Sequence, residues 1–404
     1  MDAVKWTENS ISAANDADAR IMSPENVAAA RAFHQSFPQY AKTPLAALNA
    51  LAGFCGIKNL FVKDESFRFG LNAFKVLGGS YAMARSVARL AGHDAEIPAY
   101  DVITLPEFKK KTGELTFFSA TDGNHGRGVA WSARMLKQKA VIMMPKGTQR
   151  SRFENIKKEG AEVTIEDLNY DDCVRKAAKA AKETLGGVLL QDTAWDGYEE
   201  IPSWIMQGYG TMMSEADEQF LEAAGAPPTH VFVQAGVGSL AAAAAGYFAN
   251  KYGAEAPRFT VVEADKADCI YRSALANDGS RHTVGGAMHT MMAGLACGEP
   301  STTAWRILKA YASVFASVPD AAAAIGMRVL GAPLPGDPRV VSGESGAAPA
   351  GLLYLVMTEK YLEPLRRKLD INKDSRILLF STEGATDPEN YRRVVWEGAD
   401  GYED

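Results

Sequence analysis

The sequence predicts an α/β protein built from two open parallel-sheet domains with helices on both faces. Three observations predict this class. Short apolar runs alternate with segments whose apolar residues fall at helical spacing, the rhythm of a parallel sheet assembled through crossovers. That rhythm runs through the middle of the chain, pauses after about residue 193 and resumes at about 230. The chain has 404 residues, 47% of them hydrophobic, enough for more than one domain-sized core.

In chain order, "NLFVKDE" (59–65) reads as a strand. It leads into "RFGLNAFKVLGGSYA" (68–82), where Leu71, Phe74, Leu77 and Tyr81 recur at helical spacing around Lys75. "LTFFSA" (115–120) is a strand, and the helix that follows (125–137) carries Val129, Ala133 and Leu136 on one face. "AVIMMP" (140–145) is a buried strand, and "QRSRFENIKKEG" is a short helix closed by Gly160. "AEVTIED" (161–167) and "VLLQDT" (188–193) are strands flanking a helix with Val174, Ala178, Ala181 and Leu185 on one side. "HVFVQAG" (230–236) then feeds a helix of small residues, "SLAAAAAGYFANKYG", and "RFTVVEAD" (258–265) and "RILLFSTEG" (376–384) are further strands. "GGAMHTMMAGLACGEP" (285–300) and "GAPLPGDPRVVSGESG" (331–346) read as loop and connector. The expected division is a small domain over 85–205 and a larger, discontinuous one from 1–84 and 206–404.

A net charge of −6 without a basic stripe argues against a nucleic-acid partner. No apolar run reaches the roughly eighteen residues of a membrane span. "MDAVKWTENS" lacks the apolar core of a secretory signal, so a cytoplasmic location is expected. Cys55, Cys173, Cys269 and Cys297 and the six histidines match no metal-ligand spacing, and reduced thiols are expected. A bond between Cys269 and Cys297, which flank one Gly-rich segment, is the alternative.

Sites in open α/β sheets lie beyond the carboxyl ends of strands. Four such ends carry unusual residues: "SATDGNHG" (119–126), "QDTAWDGY" (191–198), "QAGVGSL" (234–240) and "STEGATD" (381–387). Gly236 and Gly238 open a helix, where backbone N–H groups and roughly half a positive charge from the helix dipole suit a phosphate. Plain strand–helix packing uses the same turn. A dinucleotide reading lacks an acidic residue at ribose distance, since Asp265 comes too late. Gly123 and Gly126 bracket Asn124, with Ser119 and Thr121 upstream, a loop able to hold a carboxylate or simply to cap the next helix. Asp122 would repel an anion there unless a cation were also received. Lys75 is either a snorkelling surface lysine or a desolvated amine. Gly78 and Gly79 beside it would cost about 2 kcal/mol of helix propensity if they served nothing. An amine nucleophile together with a phosphate loop points to pyridoxal phosphate.

Six ordered motifs carry a resemblance. "KDESFRFGLNAFKVLGG" (63–79), "TDGNHGRGVAW" (121–131), "QDTAWDGYEEIPSWIMQGYGTM" (191–212), "AGVGSLAA" (235–242), "SGESGA" (342–347) and "STEGATD" resemble the fold-type II pyridoxal-phosphate lyases. That group holds the threonine dehydratases and the tryptophan synthase β subunit, and the match is to its ammonia-lyase branch. The resemblance implies that Lys75 is the Schiff-base lysine and that Asn124 hydrogen-bonds the cofactor's ring hydroxyl. It implies that Gly236, Val237, Gly238 and Ser239 cradle the phosphate, and that Ser381, or else Thr382, faces the pyridine nitrogen. Asp122 and Asp192 match acidic positions of the ammonia-lyase branch. The dehydratase pattern is neutral where Asp122 stands. For Asp192 a helix N-cap is the plain alternative, and Glu344 is read as structural or set against the cofactor ring.

The implied reaction is elimination on 2,3-diaminopropionate, giving pyruvate and two ammonia. Lys75, Asp122 and Asp192 would be its catalytic side chains, and Ser119 and Thr121 would join the two aspartates around the substrate. A hydroxyl opposite the pyridine nitrogen weakens the electron sink and favours prompt loss of the β-group. A homodimer is implied. Serine or threonine dehydration on the same fold is the alternative reaction. A nucleotide-dependent oxidoreductase and a non-enzymatic binding protein are alternatives from other classes.

Overall fold

The computed structural model describes residues 3–11, 19–93, 96–121 and 123–400. Eleven strands run in chain order: β1 (Lys5–Glu8), β2 (Leu45–Ala47), β3 (Asn59–Asp64), β4 (Thr116–Ala120), β5 (Lys139–Met144), β6 (Glu162–Ile165), β7 (Gly187–Leu189), β8 (His230–Gln234), β9 (Arg258–Ala264), β10 (Val314–Val318) and β11 (Arg376–Ser381). They form a seven-stranded sheet of order β1-β10-β9-β8-β11-β3-β2 and a four-stranded sheet of order β6-β5-β4-β7. The smaller sheet is wholly parallel. In the larger, β10, β9, β8, β11 and β3 are parallel, and the two edge strands β1 and β2 run antiparallel.

The α/β class with parallel sheets is therefore observed, with antiparallel edges added. β1 and β2 lie outside the mid-chain strand–helix alternation that makes the equally short β6 and β7 legible. The interior strands were legible for a different reason. Every residue of β8 is buried, as expected of a parallel strand covered on both faces. β10 is equally buried, but Ser317 interrupts its apolar run.

The chain divides into two compact units. One comprises Met1–Ser23, Lys42–Phe67 and Met212–Asp404 and contains the seven-stranded sheet. Its core gathers Leu60, Val62, Phe232, Val262, Leu352 and Leu379. The other comprises Pro24–Ala41 and Arg68–Thr211 and contains the four-stranded sheet. Phe118, Met143, Cys173 and Ala177 pack within it. Residues 24–41, 68–84 and 206–211, expected alongside the larger sheet, thus group with the smaller one. No helix among the described residues is long and apolar enough to cross a membrane.

The grouping of the lysine segment has a local cause. Lys75 is the N-cap of the Val76–Leu90 helix. That helix packs on the Asn124–Met135 helix so closely that a Cβ on Gly128 would sit 2.9 Å from Val76 Cα. On the other side a Cβ on Gly78 would lie 2.6 Å from Ile205 Cγ2 and 2.7 Å from Tyr209 Cε1. The bulk is missing beside Lys75 because two helices close on its first turn. Upstream, Phe69 (φ 48°) and Asn72 (φ 60°) adopt left-handed backbone. For a bulky residue such as Phe69 this costs about 1–3 kcal/mol. The Phe69 ring is held by Trp131 and Phe37, at centroid distances of 5.0 and 5.6 Å.

Candidate active site

The lysine side of the site is assembled from the ends of β4 and β7. Just beyond β7, Gln191 is fully buried and clamps the strand ends together. Its Oε1 accepts from Ser119 Oγ and Ala120 N, each at 3.1 Å. Its Nε2 donates to Ala120 O at 3.0 Å and to Tyr170 Oη at 2.8 Å. Gln191 N donates to Tyr198 Oη at 2.9 Å, and that hydroxyl donates to Leu189 O at 3.0 Å. The next residue, Asp192, is therefore fixed by a frame of hydrogen bonds.

Asp192 is 4% exposed and accepts a hydrogen bond from Lys75 Nζ. His125 Nδ1 stands 3.8 Å from the same carboxylate oxygen. His125 Nε2 donates to Leu190 O at 3.1 Å, and because a carbonyl only accepts, that nitrogen carries its proton. Burial pushes the Asp192 carboxyl up, but the charges of Lys75 and His125 outweigh it and bring its pKa down to about 2. The carboxylate stays ionised throughout the neutral range. The amine lies 5.5 Å from the Phe74 ring and is 22% exposed in its side chain. The amine is thus flanked by an aromatic face and a carboxylate.

In the 119–126 loop, Thr121 Oγ1 accepts from Gly123 N (3.0 Å) and Gly126 N (3.1 Å), capping the turn into the helix. Ser119 is buried against Gln191. Asn124 begins the Asn124–Met135 helix and is half-buried. Asp122 lies outside the described residues.

The phosphate-type loop belongs to the unit with the seven-stranded sheet. β8 ends at Gln234, and the chain turns through Gly236–Gly238 into the Ser239–Tyr252 helix. Gly238, the N-cap, has φ +97°, and a Cβ there would lie 2.9 Å from Ile270 Cδ1. No acidic residue stands in the helix's first turn. Val237 O accepts from Ser301 N at 2.9 Å and fixes the loop, and Ser239 is 3% exposed. A glycine turn at a helix N-terminus, free of acidic side chains, fits a phosphate dianion. Gly238→Asp is expected to raise the dissociation constant for pyridoxal 5′-phosphate at least about tenfold, by placing a negative charge at that terminus. Gly238→Ala carries the strain without the charge, so absorbance titration of both variants separates the two causes. Unchanged cofactor retention in the aspartate variant would count against the loop.

At the end of β11, Ser381 is fully buried and donates to Ser342 Oγ at 2.8 Å. Thr382 Oγ1 accepts from Gln234 Nε2 at 2.6 Å. Glu344 is buried and accepts from Asn390 Nδ2, a structural engagement. All four cysteines are free, so Cys269 and Cys297 form no bond. His125, Gln191, Tyr198 and Tyr209 lie inside the motifs without any local signal of a role. Only their tertiary partners distinguish them.

One unit thus presents a lysine amine beside a carboxylate, and the other presents a glycine turn at a helix N-terminus. A model of the family described as pyridoxal-phosphate dependent enzyme matches residues 37–377, and the chain belongs to that family. It is 50% identical over 368 residues to a diaminopropionate ammonia-lyase of Salmonella typhimurium, covering 91% of each chain. The crystal structure of holo diaminopropionate ammonia lyase from Escherichia coli covers 98% of each chain at 45% identity, with a TM-score of 0.90. The same enzyme in complex with an aminoacrylate-PLP azomethine reaction intermediate gives a TM-score of 0.88 at 44% identity, again over 98% of each chain. The biosynthetic threonine dehydratase of Escherichia coli is more distant, 30% identical over 50% of this chain and 32% of its own. The family resemblance read from the six motifs holds, and the dehydratase alternative is the remoter one.

Proposed function

We propose that the protein converts 2,3-diaminopropionate and one water into pyruvate and two ammonia, using pyridoxal 5′-phosphate. When bound, the cofactor supplies the electron sink that makes the substrate's Cα–H acidic. Lys75 would hold the cofactor and, once released, take or return a proton at Cα. The 236–239 loop would bind the phosphate, Asn124 the ring hydroxyl, and the Ser381 hydroxyl would face the ring nitrogen. Ser119 and Thr121 belong to the loop proposed to receive the substrate carboxylate. Asp122 and Asp192 would receive the second ammonium of the substrate.

The observation that carries this reading is the ionised Asp192 beside Lys75. A β-hydroxyl needs a proton donor to leave, and a carboxylate with a pKa of about 2 is no donor at neutral pH. A β-ammonium already carries its proton and needs only an anionic partner to place it. That asymmetry favours a diamino acid over serine. We place the enzyme in the cytoplasm as a homodimer, in keeping with its branch of the family. Light scattering on the purified holoenzyme tests the dimer.

Pyruvate release measured with both enantiomers of diaminopropionate and with serine tests the function. Faster turnover of serine would favour the dehydratase. The same assay addresses Asp122. Lys75 can exchange a proton from only one face of the cofactor, so a second base is required if both enantiomers react. Asp122→Asn is expected to remove activity toward D-diaminopropionate and to spare most of that toward the L-form. Equal loss for both would assign Asp122 to substrate binding instead.

A further inference from the structure

We propose that Tyr209 is a positioning residue for the Lys75 amine, its hydroxyl serving as the neutral hydrogen-bond partner that receives Nζ whenever Nζ is not held by Asp192. The proposal rests on the reading that Lys75 carries the cofactor.

Tyr209 lies on the Glu200–Ala224 helix and is fully buried. Among the described residues its hydroxyl meets no partner at full hydrogen-bond geometry, and Lys75 is the cation that approaches it. Leaving a buried hydroxyl unpaired costs about 1–3 kcal/mol, so such a group calls for a reason. Placement supplies one. The Tyr209 ring packs at 4.8 Å on the ring of Phe74, the residue before Lys75, and Lys75 Nζ stands 5.5 Å from that same Phe74 ring. On its other side Tyr209 Cε1 fills the space that a Cβ on Gly78 would need, 2.7 Å away. The phenol is thus slotted between the residues that flank Lys75, and no side chain larger than glycine at 78 would admit it.

The titratable groups acting on the hydroxyl are Lys75 and Asp192, with His125 behind the carboxylate. Burial drives the phenol's pKa far up, Lys75 opposes this and Asp192 adds to it, so the group stays a neutral hydroxyl over the working range. Neutrality is what the second partner needs. Asp192 can only accept, and it holds the amine as an ammonium ion. A hydroxyl can accept from an N–H or donate to a lone pair. It can therefore hold the amine in either protonation state, as a group that first bonds the cofactor and then moves a proton must be held.

Tyr209→Phe removes the hydroxyl and keeps the ring, so the melting temperature of the holoenzyme should not fall. Turnover of diaminopropionate should fall about tenfold or more, with KM changed less than about threefold. The pH profile should move by about half a unit or more, because the amine has lost the hydroxyl as a partner. In the cofactor-free protein, competitive labelling of Lys75 with an amine-acylating reagent should show a matching change in its pH dependence. Genetically encoded 3-fluorotyrosine at 209 keeps the shape with a more acidic hydroxyl. It should restore turnover with a displaced pH profile, and it serves as the test should the phenylalanine variant fold poorly. An unchanged profile and turnover, with borohydride trapping still mapping to Lys75, overturns this inference alone. Trapping on a different lysine overturns both it and the proposed role of Lys75.

Discussion

Lys75→Ala is expected to reduce pyruvate formation by roughly 10⁴-fold or more, the scale seen when a nucleophile that acts with its partners as a unit is removed. Borohydride trapping and peptide mapping should place the pyridoxyl group on Lys75 in the parent protein and find none in the variant. The fold should survive. Lys75 sits at the N-cap of its helix and donates no capping side-chain bond. The packing that locates the helix comes from Gly78, Gly128 and the aromatic group around Phe69. The local cost is electrostatic. Removing one member of a buried ion pair strands the other, a penalty of about 3–5 kcal/mol when nothing replaces it. His125 Nδ1, 3.8 Å from the Asp192 carboxylate, offsets part of that loss when the imidazole is protonated. A variant that folds, binds pyridoxal phosphate reversibly and cannot be trapped would separate the chemical role of the amine from a structural one. A variant that still yields a trapped adduct on a neighbouring lysine would sink the assignment.

How much of this was legible in the sequence depends on the range of the interaction concerned. β5, β8, β9 and β11 announce themselves because a strand buried on both faces is a continuous apolar run. The edge strands β1 and β2 do not, because they are short and lie outside the mid-chain alternation that reveals the equally short β6 and β7. The glycine pair beside Lys75 was a legible oddity, and its cause is the Tyr209 ring and the backbone of the Asn124–Met135 helix, one far along the chain. The Lys75–Asp192 pair joins residues 117 positions apart, which no local spacing encodes. Asp192 could be read only as an acidic residue beyond a strand, with a helix cap as the plain alternative. In the structure it begins no helix. The phosphate-type loop was the most nearly local feature. Its glycines answer to a positive φ at 238 that the strand-to-helix turn itself demands.

Asp192→Asn is expected to lower kcat/KM for diaminopropionate by about 10²–10³-fold and to harm any turnover of serine less. The charge, not the shape, is what the substitution removes. Asparagine can still accept a hydrogen bond from Lys75 Nζ, but it cannot balance Lys75, His125 and an incoming β-ammonium together. Serine brings no such cation, so its transition state forfeits less. The same carboxylate leaves a signature in stability that needs no substrate. Its folded pKa of about 2 lies below the ordinary 3.8, so the ionised form favours the folded state. That contribution is fully present above about pH 4 and is lost as pH falls through about 2. At 1.36 kcal/mol per pKa unit it amounts to about 2 kcal/mol. Denaturant titrations of the parent and the asparagine variant should therefore show a stability gap that is constant from pH 5 to neutrality and shrinks by about that amount on acidification toward pH 2. A gap independent of pH would mean that the carboxylate acts there as an uncharged acid. Equal losses for diaminopropionate and serine would mean that Asp192 serves the lysine alone and plays no part in choosing the leaving group.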